Sequence, residues 1–571
     1  MEFAIVLVLA LLAVAAAAGI SSRIGVAAPL ILVLLGIGVS FLPFVPAVEV
    51  EPEWILTVVL PPLLYSASAS MPTTDFRREL RAIGGLAVTL VVLSSVLLGL
   101  LFTWLIPGLG LGWGIALGAV VSPTDAVATS IVKRLGVAPR AVSVLEGEGL
   151  LNDATALVLL RSAIAGAAGA VSLWGVAGDF LFAVVVAVAI GAAVGWVTVR
   201  IRARVSNTTA ATVLSFTVPF LASVPTEALG ASGLVAAVVA GLVTGAGRDR
   251  RLTAQQRLAD RQNWRTVEFV LEGGIFLLMG LELFGIVEDV EAEHLGVGPA
   301  LAVAAAGLVA GLLVRAAFVA PLVWRLQRRA RRGERMRPRL SEWQERLDRP
   351  TDELVEDFRA RTEGTRRRPP SARGVERFRT RLRRTVADID FFLAEPVGWR
   401  EGTVIVWAGM RGAVSVAAVQ TLPADAPDRP VLVLVAFAIA AASLLLQGST
   451  LPRVIRWVRP AGPDPEAQAQ EREDIRTLMQ EVAASVPEPD VPAGIRRPGR
   501  PTAAALAQPD EEDRDAWELL RRHRLAVLEA QRTALLDVRD DGVVSAAALD
   551  AVLTAIDAEQ IGLELQGAPA D

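Results

Sequence analysis

The chain has 571 residues, 53% of them hydrophobic and 20% charged, with a formal net charge of −4 and a mean hydropathy of +0.48. It has no cysteine and two histidines, His294 and His523, which excludes disulfides, thiolate metal sites and an imidazole relay; any proton-carrying group would have to be a carboxylate. The apolar residues do not follow the dispersed pattern of a soluble domain but collect in long uncharged runs before about residue 325 and again over 403–452.

About 20 apolar residues cross a bilayer core. Thirteen such segments are expected, near 3–20, 28–46, 53–70, 82–106, 113–133, 141–167, 173–199, 208–224, 229–246, 266–286, 298–325, 401–421 and 430–452. The first lacks the basic stretch that opens a signal peptide and is followed by many similar segments, so it reads as a retained helix. The connecting loops alternate in charge. One set carries Arg23; Arg77, Arg78 and Arg81; Lys133, Arg134 and Arg140; Arg200, Arg202 and Arg204; and Arg248, Arg250, Arg251 and Arg257, before the arginine-rich 326–400 stretch. The other set is neutral or acidic, with Glu49, Glu51 and Glu53, then Glu227, then Glu288, Asp289, Glu291 and Glu293, then Asp425 and Asp428. Basic loops stay in the cytoplasm, which puts the N-terminus outside and the C-terminus inside. Lys133 is the sole lysine, and the Ala-, Gly- and Arg-rich composition suggests a GC-rich bacterium, hence an inner-membrane protein.

A charge at the bilayer centre costs on the order of 3 kcal/mol or more, so each one inside a span calls for a function. The fifth span, GAVVSPTDAVATSIV, has Pro123 and Asp125 near its middle. Proline removes a backbone donor and clashes with the preceding turn, giving either a simple kink or a break that lines a cavity. The sixth, LEGEGLLNDATALVLLRSAI, carries Glu146, Glu148, Asn152 and Asp153; Glu148 stacks over Asn152 and Gly149 over Asp153 at i, i+4. Glu146 can reach the interface, whereas Asp153 lies about two turns deeper. In the tenth, Glu268 and Glu272 suggest an interfacial or funnel role rather than ion coordination, and Glu282 lies near the outer end. Arg161 in the sixth and Arg315 in the eleventh read as structural partners for carboxylates or carbonyls. The twelfth, TVIVWAGMRGAVSVAAVQTL, places Arg411 between Gly409 and Gly412, where glycine suits an unwound backbone; Glu148 is the favoured partner. Two interrupted spans, one in each half, point to an inverted-repeat transporter with its site at the midplane.

The segments LPPLLYSAS (60–68), SPTDAVA (122–128), EGEGLLNDATALV (146–158), FLLMGLEL (276–283) and GMRGAVSVA (409–417) together resemble the NhaP-like monovalent cation:proton antiporters over about residues 1–455. The resemblance implies an all-α polytopic homodimer with a dimerisation domain and a six-helix core. In that core two unwound helices, the fifth and twelfth spans, cross. It implies cation and proton binding at Asp153, Asn152, Thr124 and Asp125, with Na⁺ or K⁺ held at Asp153 and Thr124. It also implies a structural ion pair between Glu148 and Arg411. Two positions depart from the family pattern. Gly149 stands where a serine hydroxyl is usual, and Ser66 where many relatives carry an acid.

The function expected is secondary-active exchange by competition of proton and cation for one buried carboxylate. A neutral Asn152 beside Asp153 leaves one titrating group, so exchange should be one for one and electroneutral, with Na⁺ favoured and K⁺ the alternative. A channel or a membrane sensor with a signalling tail is the alternative of another class, and a membrane hydrolase lacks the residues it would need. No cofactor, nucleic acid or enzymatic reaction is expected. The soluble parts read as an arginine-rich cytoplasmic loop (326–400) lying on anionic headgroups and, after the last span, a Pro-rich acidic linker (456–513). A helical hairpin with amphipathic segments at 514–538 and 545–564 closes the chain. The intervening DVRDDG fails as a calcium loop, because Arg539 and Ala548 replace ligands.

Overall fold

The computed structural model describes residues 2–43, 51–168, 173–292, 296–347, 372–462, 464–489, 511–541 and 544–566, and every regular element among them is helical. His294 and parts of the predicted loop and linker lie outside the described residues. Eight helices among the described residues are long and apolar enough to cross a membrane: Ala4–Ile24, Thr73–Leu105, Pro139–Ala167, Gly178–Arg202, Thr208–Ala228, Ala254–Ala292, Val297–Leu340 and Arg429–Val458. Large apolar side chains such as Leu9, Leu181, Val185, Val309 and Leu313 stand exposed on their outer faces. So large an apolar surface is unlike that of a water-soluble monomer and suits contact with lipid.

Shorter or interrupted helices occupy the remaining predicted spans. Ala28–Ser40 is one and Gly233–Arg251 another. The 53–70 region is built from Pro52–Trp54, a π-helical stretch Ile55–Val59 and Leu60–Ser70. Pro61 and Pro62 offer no N–H to the carbonyls four residues back, Thr57 and Val58, and the widened turn falls there. The fifth span is two half-helices, Leu111–Val120 and Val127–Arg134. The twelfth is likewise split, into Trp399–Trp407 and Ala413–Gln420.

The chain divides into two compact units. The first comprises Met1–Arg248, Asp260–Arg331 and Glu395–Pro463, with one continuous apolar core. Two buried ion pairs, Arg140–Glu79 and Arg202–Asp260, both at 2.6 Å, tie its helices together. The second comprises Asp249–Ala259, Arg332–Ala394 and Asp464–Asp571. The helix that carries the eleventh span continues past residue 325: Val297–Leu347 is one helix of 51 residues, about 76 Å at 1.5 Å per residue. Its far part packs Leu340 against Val375 and Leu382 of the helix Ala372–Ala394. Within the stretch read as a linker, Pro465–Ser485 is a helix; its single buried face, at Ile475, is too sparse a pattern to announce it. It joins Glu511–Asp541 and Ala546–Gln566 around Ile475, Leu528, Leu535, Leu536, Leu549, Leu553 and Ile556. Ser545 opens the last helix, its hydroxyl accepting from Ala548 N while donating to Glu471 at 2.9 Å, a side-chain cap for an otherwise orphaned amide.

Asp557 is the buried centre of this second unit. Its carboxylate accepts from Arg257 at 2.6 Å and from Arg532, and Arg539 reaches Asp249 at 2.6 Å. Removing one partner of a buried charge cluster strands the others, at a cost of about 3–5 kcal/mol. Asp557→Ala should therefore lower the stability of this unit by roughly 3 kcal/mol. Amide exchange over 546–566 should speed accordingly, with exchange in Pro139–Ala168 unchanged.

Candidate functional site

Each broken span ends for a local reason. Pro123 cannot donate and biases Ser122 away from helical angles, so Leu111–Val120 stops and Val121–Ala126 runs as irregular chain. In the twelfth span the chain leaves helix at Ala408 and re-enters at Ala413. The two breaks lie against each other: Asp125 N donates to the Met410 carbonyl at 2.7 Å. A Cβ on Gly412 would fall on the Asp125 carboxylate, and one on Gly409 would meet the Arg315 side chain. Only glycine allows both approaches.

The charges near the breaks match the half-helix ends. Asp125 Oδ1 accepts from Val127 N at 2.9 Å, capping the positive start of Val127–Arg134. Arg411 Nε donates to the Val121 carbonyl and Nη1 to the Gly409 carbonyl, both at 2.9 Å, while its backbone N donates to Ser443 Oγ at 2.8 Å. A guanidinium thus serves the freed carbonyls after both first half-helices.

Helix Pro139–Ala168 brings in the remaining groups. Asn152 Nδ2 donates to the Thr124 carbonyl at 3.1 Å and to Thr124 Oγ1 at 2.9 Å. Thr124 Oγ1 in turn donates to Glu148 Oε1 at 3.2 Å. Asn152 is fully buried and Asp153 nearly so. Asp153, Thr124, Asp125, Gly149, Gly412 and Ser415 line a cavity of about 120 Å³, together with Glu268, Glu272 and the apolar Leu60, Leu63, Leu64, Ile275 and Phe276. A Cβ at Gly149 would meet nothing within 4 Å, so the position is open space beside Asp153 rather than a packing contact.

A sequence profile described as "Sodium/hydrogen exchanger, transmembrane" matches residues 7–344 and 380–457. The chain belongs to the sodium/hydrogen exchanger family. It is 38% identical to the uncharacterized Na⁺/H⁺ exchanger YjcE of Escherichia coli over 46% of this chain and 49% of that protein, so that match spans about half of YjcE. It is 28% identical to the likewise uncharacterized Na⁺/H⁺ exchanger Rv2287 of Mycobacterium tuberculosis over 98% of this chain and 96% of that one. The solved sodium proton antiporter MjNhaP1 from Methanocaldococcus jannaschii shares the fold, with a TM-score of 0.55 at 16% identity over 80% of this chain and 99% of that one.

Within this exchanger fold, the four expected site residues Thr124, Asp125, Asn152 and Asp153 come together at one break. The predicted ion pair needs correction. Glu148 is paired with Arg315, whose Nη1 and Nη2 donate to Oε1 and Oε2 at 2.5 and 2.8 Å, and not with Arg411. Arg315 Nε also donates to the Ile405 carbonyl at 3.0 Å. Two intramembrane arginines compete for one glutamate, and spacing along the chain cannot choose between them. Arg411 is drawn to carbonyls its own break exposes, which leaves the bidentate geometry to Arg315. Glu268 and Glu272 line the cavity itself, closer to the chemistry than their position along the tenth span implied.

Arg315→Ala should leave Glu148 buried without its partner and destabilise the protein by about 3–5 kcal/mol, read as a fall in thermal unfolding temperature in detergent. Adding Glu148→Gln should recover much of the loss. Rescue of Arg411→Ala instead of Arg315→Ala would restore the original pairing.

Proposed function

We propose that this exchanger moves one Na⁺ against one proton, both competing for the Asp153 carboxylate. The observation that carries the reading is the division of labour in the Asn-Asp pair. The Asn152 amide is committed to both oxygens of Thr124, while Asp153 faces the cavity. Asp125 is spent on the Val127 amide and Glu148 on Arg315. A buried carboxylate without an ion-pair partner is costly while charged, and either a proton or a cation discharges it. Thr124 and Asp125 supply further oxygens to a bound cation, hard ligands of the kind an alkali ion takes.

The protein works as a homodimer in a bacterial inner membrane, N-terminus outside and C-terminus in the cytoplasm, and serves pH homeostasis. The membrane part is 1–325 with 401–455; 326–400 and the tail beyond 456 are cytoplasmic. Support for this orientation is the arginine-rich character of alternate loops under the positive-inside rule. Membership of the sodium/hydrogen exchanger family supports sodium as the cation.

Asp153→Asn should abolish cation-driven proton movement in proteoliposomes while the protein purifies and melts like wild type. An uncompensated charge would couple to voltage at about 2.3 kcal/mol per 100 mV, so an imposed potential should leave the wild-type rate unchanged. A rate that follows the potential steeply, or exchange surviving in the Asp153→Asn protein, would refute one-for-one competition at this residue.

A further inference from the structure

Four carboxylates line the cavity of about 120 Å³, those of Asp125, Asp153, Glu268 and Glu272, and no basic side chain among the described residues lines it. A concave surface of one sign focuses field and concentrates counter-ions. One water needs about 10–15 Å³ of such space, so the cavity admits a cation that keeps part of its hydration shell. Glu268 and Glu272 are four residues apart on helix Ala254–Leu281, with Ile275 and Phe276 continuing the same face, as helical periodicity requires.

The four acids are not equally occupied. Asp125 caps Val127, and Glu268 accepts from Ser66 Oγ at 3.3 Å. Glu272 and Asp153 face the cavity from different helices, and no hydrogen bond or ion pair to either occurs among the described residues. Beyond Glu272, Leu63, Leu64, Ile275 and Phe276 make the wall apolar. A cation moving along that wall has few oxygens to exchange for water other than those of Glu272.

We propose that Glu272, backed by Glu268, is the entry carboxylate for the transported cation, holding it in the cavity before Asp153 takes it over. Glu272 thereby sets apparent cation affinity, while the exchange step itself belongs to Asp153. The Ser66 hydroxyl keeps Glu268 turned toward the cavity as the outer station of the same path. The inference rests on the exchange reading given above.

The test is Na⁺-dependent proton movement in proteoliposomes holding the full-length protein, as wild type, Glu272→Gln, Glu272→Asp and Glu268→Gln. Glu272→Gln should raise the KM for Na⁺ by roughly tenfold, since it removes one unit charge from a site that gathers cations by its negative field. Its maximal rate at saturating Na⁺ should match wild type. Glu272→Asp should restore most of the affinity, and Glu268→Gln should show a smaller rise in KM. An unchanged KM in Glu272→Gln overturns the proposal. A lost maximal rate in a normally melting Glu272→Gln protein overturns it too, because an entry group is dispensable at saturation. Should the wild-type protein move no proton with Na⁺, the exchange reading fails and the proposal falls with it, whereas a wild type that exchanges beside a Glu272→Gln protein of unchanged KM overturns the proposal alone.

Discussion

A helix that stops halfway through hydrocarbon leaves carbonyls at one broken end and amides at the other, and no water is there to satisfy them. Here two such helices stop side by side, and Arg411 bonds the carbonyls of Val121 and Gly409 together. The Asp125 N–H closes the crossing onto Met410, and the Asp125 carboxylate caps the half-helix that follows. Once these groups are satisfied, the breaks become a rigid floor for an ion site rather than a fault in the fold. Glycine at 409 and 412 is the geometric condition, since a side chain at either would collide with Arg315 or Asp125.

The rest of the site follows from where the sixth helix meets that floor. One turn of Pro139–Ala168 carries Glu148 toward Arg315 and Asn152 toward Thr124, both fixed by hydrogen bonds. Asp153, the next residue round the helix, points to the cavity instead. On this helix Glu148 is held by Arg315 and the Asn152 amide nitrogen by Thr124, which leaves Asp153 as the acid of the helix free to change partners. A buried charge without a partner is unfavourable, and that instability is what a cation and a proton compete to relieve.

Much of this was legible in the residues. Pro123 inside an apolar run and glycines around Arg411 mark two breaks, and an Asn-Asp pair deep in a span has no interface to reach. The signal failed where spacing along the chain stops carrying information. Glu148 had two arginines available, and only the three-dimensional course of Val297–Leu347 brings Arg315 to it. Glu268 and Glu272 read as interfacial or funnel groups, and a span's depth scale alone could not show that the cavity holding Asp153 also reaches them. In the tail, the predicted hairpin is joined by Pro465–Ser485, a helix whose apolar face is too narrow to stand out from polar sequence. Its glutamates also serve contacts that only the fold makes, as Glu471 does with Ser545.

The central claim is that cation and proton share one carboxylate, so binding of one must release the other even without transport. Calorimetric titration of Na⁺ into the purified protein, repeated in buffers of different ionisation enthalpy near the working pH, counts the protons released. The account predicts close to one proton per Na⁺ bound at a pH where Asp153 is protonated, and none from the Asp153→Asn protein. Sodium binding that releases no proton from the wild-type protein would contradict it.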